Sequence, residues 1–178
     1  MLYLNKKVLS ITNLEFKGGL WCGLVLCVGY AFQNFGLWEN VFYLSTTPSK
    51  SAFITSTSVL MVPLFTSIAG LQKISVKFWS AVVLAMVGLY LLLDPSATGM
   101  NRGDLLTFGC AASFAIHIIL QEKYAKSGIN ISRFFLIQIV VVTILSFISS
   151  FAIETHQIMW TNRLIQAILL TGIFATGI

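Results

Sequence analysis

Apolar residues run along this chain in six long stretches, and the charged residues lie between the stretches or at their edges. A helix of roughly 20 apolar residues, within a range of about 17–25, crosses the hydrocarbon core of a bilayer. The first five stretches reach that length, and the sixth has 15 residues before the chain ends. The pattern predicts an all-α membrane protein with six transmembrane helices, at residues 18–37, 49–71, 74–93, 103–120, 131–153 and 164–178.

The composition agrees with this prediction. Hydrophobic residues make up 57% of the chain and charged residues 10%, whereas a soluble domain carries about 25% charged residues. The net charge of +5 raises the question of a nucleic-acid partner. The positive charges are divided among the loops on the two sides of the spans, so we expect no nucleic acid and a lipid bilayer as the surrounding medium.

The basic residues also predict an orientation. Cytoplasmic loops carry an excess of Lys and Arg. Eight basic residues fall on one side of the predicted spans and three on the other: Lys6, Lys7, Lys17, Lys73, Lys77, Lys123, Lys126 and Arg133 against Lys50, Arg102 and Arg163. We therefore predict that residues 1–17 are cytoplasmic and that the first span runs outward, with a chance distribution as the alternative.

The fourth span carries a polar stripe. Gly109, Ser113, His117 and Gln121 follow one another at four-residue intervals, which places them on one helix face. Such a stripe is expected to face the bundle interior or a watery cavity. For His117, two interpretations stay open: it binds substrate or carries a proton, because imidazole titrates near neutral pH, or it is a neutral side chain hydrogen-bonded to a neighbouring helix.

Other polar residues lie within the spans. The first span ends with Tyr30, Gln33 and Asn34, the second is rich in hydroxyls that include Thr57, and Gln138 is a buried amide candidate in the fifth. The hydroxyls either line a polar path or bond back to carbonyls of their own helix. Tyr30, Gln33, Asn34 and Thr57 are therefore candidates to line a cavity.

Two basic residues at span ends have two interpretations each. Lys50 either extends to the membrane interface, as long basic side chains do, or faces a cavity and attracts an anionic group. Arg133 presents the same alternatives.

Two prolines shape the second span. Thr47 and Pro48 suit a helix cap and a first helical position. Pro63 falls in mid-helix, where its ring crowds the carbonyl of Val59, and this predicts a kink.

No catalytic or metal-binding motif accompanies these features. Cys22, Cys27 and Cys110 lie within spans and lack metal-ligand spacing. No nucleophile elbow, zinc-protease motif or phosphate loop is present. We expect neither enzymatic activity nor a cofactor or metal.

Five segments of the chain are similar, in order, to a known family. They are GYAFQNFGL at 29–37, STTPSKSAFIT at 45–55, VPL at 62–64, GLYLL at 88–92 and GDLL at 103–106. The set resembles the EamA-type drug/metabolite transporters, whose fold is a ten-helix bundle of two inverted five-helix repeats.

The resemblance implies that this chain supplies about helices three to eight of the ten. It divides the chain into a cytoplasmic segment at 1–17, the last three helices of the first repeat at 18–93, an extracytoplasmic loop at 94–102, and three helices of a truncated second repeat at 103–178. In such repeats the substrate site lies near the midplane between the repeats.

Together these observations predict a secondary transporter, an exporter of small polar metabolites such as amino-acid-like compounds, which works by alternating access in the bacterial inner membrane. The candidate substrate-binding residues are Tyr30, Gln33, Asn34, Lys50, Thr57, Ser113 and His117. Expected partners are the small-molecule substrate and either a second copy of the chain or the missing transporter segments. The alternative is a truncated or helper membrane protein without transport activity of its own.

Overall fold

In the computed structural model the chain is helical over nearly all of the residues that the structure describes, which are 11–38, 45–70, 75–93, 99–153 and 160–170. The helices are α1 Asn13–Leu37, α2 Pro48–Ser56, α3 Ser58–Ile68, α4 Val76–Leu93, α5 Arg102–Ala125, α6 Ile131–Ile153 and α7 Asn162–Leu169. Parts of the predicted cytoplasmic segment (1–10), of the predicted loop (94–98) and of the sixth predicted span (171–178) lie outside the described residues.

Four helical segments are long and apolar enough to cross a membrane: α1, the α2–α3 segment Pro48–Ile68, α5 and α6. These segments confirm four of the six predicted spans by length and composition. In the third predicted span α4 forms a shorter apolar helix, and in the sixth the structure describes only the 8-residue α7. The inverted repeat and the domain boundaries stay predictions.

Two helices begin before the apolar stretches that predicted them. α1 starts at Asn13, because the Thr12 hydroxyl accepts a hydrogen bond from the Glu15 N–H and the Glu15 carboxylate accepts one from the Thr12 N–H. The pair Asn101 and Asp104 makes the same reciprocal cap at the start of α5. Capping boxes satisfy the free N–H groups of a first helical turn, so these polar residues set where the two helices begin.

The second predicted span is interrupted. It opens as predicted, with Pro48 in the first turn of α2 and the Thr47 hydroxyl accepting from the Lys50 N–H. The break between α2 and α3 falls at Thr57, whose hydroxyl donates to the Ile54 carbonyl at 2.5 Å. Pro63 lies inside α3, further along the chain.

The chain divides into two compact units, residues 1–146 and 147–178. In the first unit α1 packs along α5, which also contacts α2 and α3, and α4 packs on α2. The second unit holds the end of α6, where the rings of Phe147 and Phe151 meet edge to face at 4.7 Å, and α7, which Thr161 caps. The candidate site lies entirely in the first unit.

Candidate functional site

Glycines bring α1 close to both α5 and α6. A Cβ added at Gly29 would lie 2.7 Å from the Phe114 ring of α5, and one at Gly19 would lie 2.7 Å from Ile137 of α6. Close backbone approach of this kind favours dispersion contacts between helices in lipid. The Gly19–Gly23 spacing of α1 is therefore part of the packing scaffold around the site.

A cavity of about 230 Å³ lies between these three helices. Its apolar lining comes from residues of α1 and α6, and its polar groups come from all three helices. The lining residues are Leu26, Tyr30, His117, Gln121, Phe135, Gln138, Ile139, Val142 and Thr143. A mainly apolar cavity with a few convergent polar groups is the usual form of a small-molecule site.

The polar groups of the cavity are joined by hydrogen bonds. His117 Nε2 lies 2.9 Å from Gln138 Oε1, and Gln121 Nε2 donates to the same oxygen at 3.3 Å. His117 is 9% exposed and Gln138 is 2% exposed. Because Gln138 accepts the Gln121 N–H at its oxygen, the imidazole that shares this oxygen acts as a donor through Nε2. The hydrogen bond of His117 to a neighbouring helix is thus observed.

Of the predicted site residues, Tyr30 and His117 line this cavity together. Tyr30 is 43% exposed, and its ring meets that of Phe114 edge to face at 5.6 Å. Ser113 does not line this cavity, and its hydroxyl donates to the Gly109 carbonyl of its own helix at 2.9 Å. Thr57 likewise bonds back to its own segment at the α2–α3 break.

Gln33 and Asn34 lie nearer the end of α1. The Gln33 amide reaches the Thr55 hydroxyl of α2 at 3.5 Å, and Asn34 is exposed. Neither residue lines the cavity of Tyr30 and His117. Their role in substrate binding stays a prediction.

Lys50 is buried against a carboxylate of the same chain. Its Nζ lies 2.6 Å from Asp104 Oδ2 and donates to the Gly99 carbonyl at 2.7 Å. The other carboxylate oxygen accepts the Thr46 hydroxyl at 2.6 Å, and Asp104 is 0% exposed. Asp104 is thus an anionic group beside Lys50, and it lies in the first turn of α5, away from Gln121 and Gln138.

A second ion pair lies at the opposite end of α1. Arg133 of α6 donates to Glu15 Oε1 at 2.8 Å, and the Asn130 N–H donates to the same oxygen at 2.9 Å. The Glu15 side chain is 2% exposed and that of Arg133 is 20% exposed. Arg133 therefore joins the start of α6 to the start of α1.

Sequence reasoning did not place Gln121 and Gln138 among the site residues. Gln138 gave a signal, as an amide within an apolar span, and Gln121 gave another, as the last member of the polar stripe. The sequence did not show that Gln121 of α5 and Gln138 of α6 lie opposite each other. Their alignment follows the turn between the two helices, which includes Gly128 and Asn130.

The described residues also show whether a cluster of metal-binding side chains is present. Among them, no group of three or more His, Cys, Asp or Glu residues is placed to hold a metal ion. The cavity offers hydrogen-bonding groups from amide, imidazole and hydroxyl side chains.

One comparison supplies a relative. The chain is 32% identical over 163 residues to a protein of Archaeoglobus fulgidus (strain ATCC 49558 / DSM 4304 / JCM 9628 / NBRC 100126 / VC-16) named "Uncharacterized transporter". That protein is a transporter by name. The similarity covers 91% of this chain and 49% of the relative, so the chain spans about half the length of the curated relative it matches.

No family model matches the sequence. No solved structure matches it either. The apolar helices indicate a membrane protein, and the relative is named as a transporter.

Proposed function

We propose that this chain belongs to a secondary transporter of the EamA type, which exports small polar metabolites such as amino-acid-like compounds across a bacterial inner membrane by alternating access. The observation that carries the proposal is the cavity between α1, α5 and α6, where Tyr30, His117, Gln121 and Gln138 meet among bilayer-length apolar helices. The similarity to a protein named as a transporter supports it.

The cavity supplies what substrate binding requires. Amide and imidazole groups provide hydrogen bonds, and apolar side chains from α1 and α6 hold the rest of a small molecule. His117 is the imidazole of the cavity lining, and its position there suits carrying or sensing a proton during transport. The other predicted residues, Gln33, Asn34, Lys50, Thr57 and Ser113, remain proposals as contributors to a larger substrate path.

The test is an unbiased mass-spectrometric profile of the medium. Cells producing the chain, or a version extended to ten helices, are compared with cells carrying an empty vector and with cells producing the extended version with His117→Gln. We expect the extended version to enrich a compound in the medium, and we expect a changed rate and pH dependence of its appearance in His117→Gln. His156→Gln is the matched control, since it removes the second histidine of the chain.

Three outcomes bear on the proposal. An enriched compound whose export depends on His117 and not on His156 supports it. Export that is unchanged in His117→Gln removes the proton role of that residue. A medium identical to that of the empty-vector cells favours the alternative, a membrane protein without transport activity of its own.

A further inference from the structure

The start of α6 holds one wall of the cavity in place. Residues of α6 between Phe135 and Thr143 line the cavity. The buried residues of this helix are Phe134, Ile137 and Gln138, all of them near its start. Because close packing fixes buried side chains in position, the placement of this wall depends on how the start of α6 is held.

A single carboxylate connects that start with two other segments. Glu15 Oε1 accepts a hydrogen bond from the Arg133 guanidinium at 2.8 Å and another from the Asn130 N–H at 2.9 Å. Glu15 Oε2 accepts one from the Thr12 N–H at 2.8 Å. The Glu15 side chain, which is 2% exposed, thus joins the start of α1, the turn before α6 and the first turn of α6.

A packed layer separates this ion pair from the cavity. A second cavity, of about 610 Å³, is lined by Glu15 and Arg133 themselves. Among the described residues the two cavities share no lining residue, and Phe134 and Tyr124 line neither of them. Phe134 is 1% exposed, its ring centroid lies 6.0 Å from that of Tyr124, and a Cβ on Gly18 of α1 would lie 2.7 Å from the Tyr124 ring. Helices α1, α5 and α6 therefore pack tightly between the two cavities.

We propose that the Glu15–Arg133 pair is a gate. While the pair is formed, the start of α6 stays on α1 and the cavity of Tyr30 and His117 is closed toward this end of the molecule. When the pair opens, the start of α6 moves away from α1 and the cavity opens toward the same end. Small shifts of packed helices of this kind are a common form of conformational switch.

The inference rests on the proposed function, since it names the contact that controls access to the proposed substrate site. An exporter takes up its substrate from the cytoplasm, and the excess of basic residues assigns the Arg133 end to that side. The other buried pair, Lys50 with Asp104, joins α2 to α5, so it does not hold the start of α6.

The test measures access to the cavity without transport. Val142→Cys places a thiol in the lining, and a charged, membrane-impermeant methanethiosulfonate is added to one face of sealed membrane vesicles. Ser127→Cys, in the exposed turn before α6, identifies the face at which the Glu15–Arg133 pair lies. We expect slow labelling of Val142→Cys from that face, and labelling about tenfold faster or more when Glu15→Gln is added, because removing one partner of a buried pair strongly weakens the contact.

Two comparisons separate the gate from general loosening. Glu122→Gln is the matched control, since it breaks the exposed Glu122–Lys126 pair and should leave the labelling rate unchanged. Arg133→Gln should accelerate labelling as Glu15→Gln does, whereas Arg133→Lys keeps the charge and should retain a slow rate. The same variants without Val142→Cys give the background from the native cysteines.

Four results would overturn the inference. They are fast labelling of Val142→Cys with the pair intact, no acceleration in folded Glu15→Gln, equal acceleration in Glu122→Gln, and acceleration from both faces of the membrane. Should Glu15→Gln not fold, Arg133→Gln against Arg133→Lys decides. Gated labelling with no transported compound would count against the proposed function alone, and export with labelling that ignores the pair would count against this inference alone.

Discussion

Two carboxylates each cap the first turn of their own helix and form an ion pair with a basic residue of another helix. Glu15 caps the first turn of α1 and pairs with Arg133 of α6, and Asp104 caps the first turn of α5 and pairs with Lys50 of α2. A carboxylate at a helix N-terminus is also favoured by the helix dipole. The same side chain thus fixes where its helix begins and which neighbouring helix meets it.

The buried pair of Lys50 and Asp104 gives a first prediction. Asp104→Asn removes the carboxylate that pairs with the buried Lys50 ammonium, and removing one partner of a buried pair costs about 3–5 kcal/mol. We expect a clear fall in the thermal unfolding midpoint of the purified chain in detergent. The matched control is Glu122→Gln, because the Glu122–Lys126 pair has side chains 41% and 71% exposed, and exposed pairs contribute about 0–1 kcal/mol.

The double variant Lys50→Met with Asp104→Leu sharpens this prediction. It removes both charges of the Lys50–Asp104 pair, and apolar replacement of a buried pair is often neutral or stabilising. We expect its unfolding midpoint to lie above that of Asp104→Asn and near that of the wild type. A double variant as unstable as Asp104→Asn would show that Thr46 and Asn101, which also contact the carboxylate, depend on it for their own placement.

At the scale of helices, α1 and α5 meet most closely where two glycines face each other. A Cβ on Gly103 would lie 2.5 Å from the Gly36 carbonyl oxygen and 2.5 Å from the Thr46 nitrogen. Both neighbours are backbone atoms, and the Thr46 N–H donates to that same Gly36 carbonyl at 2.9 Å. The contact therefore has no flexible side chain that can move aside.

Gly103→Ala should for this reason destabilise the packing of α1 on α5. Overpacking of a close contact costs about 1–3 kcal/mol, and we expect a lower unfolding midpoint in detergent. Gly88→Ala in α4 is the matched control, since its Cβ would meet no heavy atom within 4 Å. We expect that variant to stay within about 1 kcal/mol of the wild type, as a glycine replaced in an open helix face does. Equal effects of the two substitutions would contradict the assigned contact.

The elements were largely predictable from the sequence, and their ends less so. Apolar length predicted α1, α5 and α6, because crossing a bilayer requires an uninterrupted run of apolar residues. The apolar run does not mark where α1 and α5 begin, because the first turns of these helices, which Thr12 and Asn101 cap, contain polar residues. The break at Thr57 was likewise not predicted, because a hydroxyl bonding to the Ile54 carbonyl leaves no trace in hydropathy.

At the scale of the whole molecule, contacts between residues that are distant in the chain could not be predicted from the sequence. Tyr30 and His117 were predicted to line a cavity, and the structure brings them together. Lys50 and Asp104 lie 54 positions apart, so their contact depends on how α2 and α5 pack, and no local pattern encodes it. Gln138 was recognisable as an amide within an apolar span, but its contacts with His117 and Gln121 depend on how α5 and α6 face each other.

The proposed orientation in the membrane gives the last prediction. The Glu15–Arg133 and Lys50–Asp104 pairs lie at opposite ends of α1, and the excess of basic residues assigns the Arg133 end to the cytoplasm.

Met100 is 77% exposed near the Lys50 end, and Ser127 is exposed in the turn before α6. In cells with an intact inner membrane, a membrane-impermeant maleimide should label Met100→Cys directly and Ser127→Cys only after permeabilisation. The unmodified chain gives the background, since its Cys22 and Cys110 are buried and its Cys27 is partly buried. Labelling in the reverse order would place residues 1–17 outside and overturn the orientation.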